Sequence, residues 1–198
     1  MWKVWIRKIY IVKIAFTKDF SKKERQDILE EFRSIGIVPI ERDLVLFSLD
    51  APAAINFIIE LSKPFVTVLG TLLAIDFYNA LKKSIKKLRK NKKEINTELN
   101  INFTDLRIEA NITNAESIDQ IKHFINNCLE YFVRLFTEKY RDRPQQIFIN
   151  TRDNYLIVDV PFISKTGHVM FQVTEDCRIE EHFKIYTSWQ IVAKSRFL

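Results

Sequence analysis

A chain of 198 residues, 47% apolar and 28% charged, has the balance of an ordinary globular protein and is long enough for one large core or two small ones. Its net charge is +6, from 31 basic against 25 acidic residues. Glycine is scarce: Gly36, Gly70 and Gly167 are the whole complement, where average usage of ~7% would supply about fourteen. Phosphate-cradling loops, dinucleotide fingerprints and nucleophile elbows need glycine for positive φ or close ligand approach, and none can be assembled here.

The opening "MWKVWIRKIYIVKIAF" places charges before apolar residues, as a signal peptide does. Lys13 interrupts the run and no small-residue cleavage site follows, so no targeting segment is expected. Val4, Ile6, Tyr10, Val12, Ile14 and Phe16 share one parity and predict a strand over residues 4–16. In "TKDFSKKERQDILEEFRSIG", polar caps precede Ile28, Leu29, Phe32 and Ile35 at helical spacing, and Gly36 ends the helix. Two short strands follow, around 36–40 and 44–48. Asp50 and Pro52 then predict a helix start, since proline is tolerated in a first turn. Pro64 breaks that helix and begins a longer one ending near Lys93.

This longer helix changes character along its length. Phe65 to Ile75 is uninterruptedly apolar, but eleven residues fall short of the ~20 that a membrane span requires. Val66, Gly70, Leu73, Phe77, Leu81, Ile85 and Leu88 form one stripe at 100° per residue, predicting a core helix that emerges onto a surface. Lys82, Lys83, Lys86, Lys87, Arg89, Lys90, Lys92 and Lys93 crowd its end. Subtracting these eight leaves 23 basic against 25 acidic residues, so the chain has one basic patch and is otherwise slightly acidic. Helix-dipole complementation accounts for two or three such cations and a solvated helix end for more, whereas an anionic partner would account for all eight. The patch has no aromatic residue for base stacking and no accompanying reader motif, so nucleic-acid binding there would be nonspecific and phosphate-directed.

The polar stretch "NKKEINT" (91–97) marks the candidate boundary between a first domain, 1–94, and a second, 95–198. Leu99, Ile101 and Phe103 alternate on one parity and Leu106, Ile108, Ala110 and Ile112 on the other, the switch at Thr104–Asp105 predicting a hairpin. Residues 116–139 predict a helix with Ile118, Ile121, Ile125, Cys128, Phe132 and Leu135 on one face. Strands are expected near 146–151, 155–162 and 168–174, and the tail from 179 to 193 reads as a strand.

Candidate chemistry is sparse. Cys128 and Cys177 are too few for a disulfide scaffold in a chain this long, so a reducing, cytoplasmic setting is expected. "HFINNC" and "CRIEEH" hold the inventory of a zinc site. On an α-helix, however, His123 and Cys128 would point about 140° apart, so no metal site is expected and Cys128 reads as a small core residue. Glu175, Asp176, Glu180 and Glu181 with His182 and Lys184 hold raw material for a metal-dependent nuclease but fit no fixed motif.

The fold expected is α+β: a β-α-β-β-α-α unit with a long helix, then an antiparallel sheet packed on one long helix. Richness in Lys, Asn, Ile and Phe points to an AT-rich, bacterial genome. No catalytic residue and no cofactor is assigned. The function expected is a non-catalytic binding or assembly module. Its eight-residue basic patch would meet nucleic acid through phosphates or an anionic membrane surface, with a protein partner or homo-oligomer also open. Two alternatives stand beside it: a membrane-active effector inserting residues 51–93 as a helical pair, and a small metal-dependent nuclease.

Overall fold

The structure, a computed structural model, describes residues 10–45, 52–65, 75–91, 94–152, 155–162 and 167–186. The chain is α+β, and among the described residues its helices pack on one face of a nine-stranded sheet. In chain order these are β1 (Tyr10–Phe16), α1 (Lys22–Arg33), β2 (Ile40–Asp43), β3 (Ala54–Leu61), α2 (Ile75–Asn91), β4 (Asn96–Asn102) and β5 (Arg107–Asn111). Then come α3 (Ser117–His123), a π-helical turn (Phe124–Cys128), α4 (Leu129–Tyr140), β6 (Gln146–Arg152), β7 (Tyr155–Phe162), β8 (Gly167–Thr174) and β9 (Ile179–Tyr186).

The sheet order is β2-β1-β3-β4-β5-β6-β7-β8-β9. Three neighbouring pairs are parallel, β1/β2, β3/β4 and β5/β6, and a helix lies in each connection, as a parallel crossover requires. The others are antiparallel. One cross-strand row carries the core: Ile14, Phe57, Leu99, Ala110, Ile149, Val158 and Phe171 are successive register partners, all at most 3% exposed. Phe32 of α1 packs on Phe57 and Phe132 of α4 on Phe171, with ring centroids 5.8 and 5.1 Å apart, so both helices cover the same face. β1 and β5 run in the same direction but step to opposite sides under helices on that one face. The β1-α1-β2 and β5-α3-α4-β6 crossovers therefore have opposite hands, where a right hand is the rule.

Local signals explain several elements. Ser21 caps α1 in a capping box: the Glu24 N–H donates to Ser21 Oγ (3.3 Å) and the Ser21 N–H to Glu24 Oε2 (2.8 Å). Gly36 follows the helix at φ 80°, a conformation glycine adopts without steric cost. β4 and β5 form the expected hairpin, and 179–186 is a strand.

The expected helix after Pro52 is instead β3, and this corrects the element order. Ile55, Phe57, Ile59 and Leu61 are buried while Asn56, Ile58 and Glu60 alternate half-buried, a period of two. Ile58 adds an apolar residue on the second face, and five apolar residues in seven then mimic a helical stripe. β3 lies between β1 and β4, so residues 51–93 are not a pair of helices available for insertion. In place of the strand expected near 36–40 the structure has the exposed edge strand β2 (Ile40–Asp43); of the strand expected near 44–48, residues 46–48 lie outside the described residues. Of the long-helix stripe, Phe77, Leu81, Ile85 and Leu88 are buried as expected, and Val66, Gly70 and Leu73 lie outside the described residues. Among the described residues no helix is long and apolar enough to cross a membrane.

Candidate functional site

The cations of α2 divide into three groups. Its buried side, Phe77, Leu81, Ser84, Ile85 and Leu88, faces the core and orients the rest. At 100° per residue, Lys83, Lys86 and Lys90 lie within about 60° of arc opposite that side. Lys87 falls on the α1 flank and pairs with Glu31, while Lys82 and Arg89 fall toward the α3 flank, where Lys82 pairs with Asp119. Both pairs are structural ties as well as charges, though exposed pairs of this kind contribute only about 0–1 kcal/mol. Lys83, Lys86, Arg89 and Lys90 are exposed and have no ion pair among the described residues. Lys92 and Lys93 lie outside the described residues. From Lys83 to Lys90 the helix rises about 10 Å, close to one screening length at 0.1 M salt, so these four charges act together. A groove of about 330 Å³ between α1 and α2 is lined by Lys82, Lys83 and Lys86 but also by Glu31 and Asp76. Its mixed signs make it a poor small-anion pocket, and the exposed positive face is the outer stripe.

A second constellation contradicts the expected divergence of His123 and Cys128. Phe124–Cys128 is π-helical, closed by the Leu129 N–H donating to the Phe124 carbonyl. That i→i+5 bond adds one residue to the turn, so positions five apart stack instead of diverging. Ile118, Ile121, Ile125, Cys128 and Phe132 are buried as expected, whereas Leu135 is half-buried and Phe136, 2% exposed, packs in the core instead. Cys128 is fully buried and is joined by a disulfide to Cys177, with Cα atoms 5.5 Å apart, so the two cysteines are not the separate thiols expected. Cys177 sits in the turn between β8 and β9 at φ 58°, a left-handed conformation uncommon for a residue with a Cβ. His123 Nε2 is 3.8 Å from Cys177 Sγ, and its Nδ1 is 2.9 Å from the Asn127 amide nitrogen. The His123, Cys128 and Cys177 donor atoms all lie within 4.8 Å of one another. A cleft of about 330 Å³ opens beside them, lined by Asp119, Gln120, Tyr155, Thr174 and Glu175 among others.

The acidic residues of 175–182 are dispersed. Asp176 accepts from the Thr174 hydroxyl and pairs with Arg178 at 2.7 Å; the Thr174 bond is the main cause that holds its carboxyl below the usual range. Glu181 pairs with Lys139, and the exposed His182 lies at a register irregularity with Nε2 2.6 Å from Gln172 Oε1. Asp159 is engaged by His168 Nδ1 at 3.0 Å across β7 and β8. Burial pushes the Asp159 carboxyl up, and His168 opposes that shift. These partners occupy separate places, and the nuclease constellation is not brought together among the described residues. The side chain of Lys184 lies outside them.

No family model matches the chain, and no curated protein matches it. Among solved structures, the crystal structure of Pt0534 inactivated by 2-oxo-3-pentynoate aligns with 48% of this chain and 88% of its own, at 15% identity and a TM-score of 0.29. A likeness at that score carries no argument about fold or activity.

Proposed function

We propose that this chain is a non-catalytic binding module that holds nucleic acid by its phosphates through the exposed cations of α2. The observation that carries this is the set Lys83, Lys86, Arg89 and Lys90, exposed and unpaired among the described residues, in a chain whose other charges nearly cancel. An interfacial membrane helix would need apolar residues beside its cations to enter the headgroup layer. The apolar side of α2 is committed to the core, which favours a phosphate backbone over a bilayer.

Four neutralised phosphates give a slope of about −3.6 in log K against log salt on duplex DNA, hence about a hundredfold loss between 50 and 200 mM. The test is fluorescence anisotropy with labelled duplex DNA and RNA, alongside sedimentation with anionic vesicles, for the parent and for K83Q/K86Q/R89Q/K90Q. Salt-sensitive, sequence-independent binding that the quadruple variant loses supports the assignment. Unchanged binding by the variant, or none by the parent at 50 mM salt, overturns it. Binding to vesicles alone would transfer the face to a lipid surface.

A further inference from the structure

We propose that the reduced chain binds one soft divalent cation, zinc above all, through His123 Nε2, Cys128 Sγ and Cys177 Sγ, leaving a fourth position open to the neighbouring cleft. The inference is independent of the basic face of α2.

Geometry is its first support. Tetrahedral zinc with Zn–S of about 2.3 Å and Zn–N of about 2.0 Å sets its ligand atoms roughly 3.5–3.8 Å apart. His123 Nε2 already stands 3.8 Å from Cys177 Sγ, and all three donor atoms fall within 4.8 Å. Once reduced, the two sulfurs need only part from bonding distance to about 3.8 Å. Convergence arises from two local irregularities. The π turn stacks Cys128 under His123, and Cys177 is held in a left-handed conformation that glycine or asparagine would adopt at lower cost. Both aim a soft donor at one point.

Chemistry is the second. One imidazole and two thiolates suit zinc, and three protein ligands with an open place are the pattern of sites that admit a water or another donor. Two thiolates and a divalent ion sum to zero charge, which suits a site where Cys128 is fully buried. Asn127 lies against His123 Nδ1, where an outer partner fixes the ring. Turning its amide by half a rotation presents Oδ1 to an Nδ1–H and leaves the Nε2 lone pair facing the sulfurs.

The electron balance is simple. A dithiol reductant breaks the Cys128–Cys177 bond, delivers two electrons and two protons to the cysteines, and is itself oxidised to a disulfide. Zinc then displaces the two thiol protons. The disulfide form has no thiolate to offer and does not hold the metal.

The test uses the full chain, reduced and then freed of reductant without air, titrated with cobalt and back-titrated with zinc. One equivalent of cobalt should give thiolate-to-metal charge-transfer absorption that zinc abolishes, and the disulfide form should give none. C177S, altered at a half-exposed turn, should lose the charge transfer from one thiolate; H123A should keep thiolate absorption but bind at least tenfold more weakly. N127A should weaken binding up to tenfold with an unchanged spectrum, the signature of a positioning residue. Absence of thiolate-to-cobalt absorption in the reduced protein overturns the assignment, as does an H123A variant that binds as tightly as the parent.

Discussion

Reducing the Cys128–Cys177 disulfide should lower stability by about 4 kcal/mol. The bond closes a loop with a sequence separation of 49. Cross-linking about 50 residues removes roughly 14 cal/mol/K of denatured-chain entropy, or ~4 kcal/mol at 25 °C. The folded state should change little, because Cys128 stays in the core cluster that also holds Phe124, Leu129 and Phe132, and β8 and β9 keep their own hydrogen bonds. The loss therefore acts on the unfolded chain.

Urea unfolding followed by circular dichroism, with and without a phosphine reductant, measures it. With a slope near 2 kcal/mol per M, the midpoint should fall by roughly 2 M. A C128A/C177A double variant should unfold no later than the reduced parent and should be insensitive to reductant. Coincident curves for oxidised and reduced parent would refute the reasoning, because no rearrangement of the folded state would restore 4 kcal/mol so exactly matched.

Two further outcomes are expected. Leu81→Ala, at a fully buried position of α2, should cost about 2–5 kcal/mol in the same urea assay and leave the exposed lysines in place. Glu98→Gln should raise stability at pH 7, because burial and then the Glu109 charge hold the Glu98 carboxyl above its usual range. As pH rises through the ordinary glutamate range the unfolded chain ionises first, so the parent loses stability until its own raised pKa is passed. The advantage of the glutamine variant should thus vanish at pH values below that range, and thermal melts from pH 3 to pH 8 measure it.

The parts of this fold that could be read from the sequence are those decided locally. The β4–β5 hairpin followed from a parity switch and α1 from polar caps and a stripe, and β7 and β8 lie where strands were expected. β3 was obscured because Ile58 faces away from the helices yet is apolar, so local pattern and sheet position disagreed. Only its pairing with both β1 and β4 decides for a strand. The sheet order and the opposite hands of two crossovers arise from long-range pairing that no window of sequence contains. For the basic face, the charge count located α2, but the ties of Lys82 to Asp119 and Lys87 to Glu31 depend on which helices pack beside it. The cysteine site was hidden by a geometric assumption. Ideal α-helical rotation separates His123 from Cys128, and a single extra residue in one turn reverses that conclusion.

That extra residue also bears on whether the disulfide and the metal are competing descriptions of one device. Each ties the π turn to the β8–β9 turn at the same two sulfurs, so exchanging one for the other preserves the contact between helix and sheet. A bound metal stabilises only the folded form, by about 2.7 kcal/mol at a free concentration a hundredfold above its dissociation constant. Zinc added to the reduced chain should therefore recover more than half of what reduction removes, raising the urea midpoint by roughly 1.3 M for the same slope. The recovery should require His123, since two thiolates alone leave the ion with too few protein ligands. If zinc raises the midpoint equally in H123A, the metal is held by the thiols without the histidine, and the convergence at the π turn has no part in holding it.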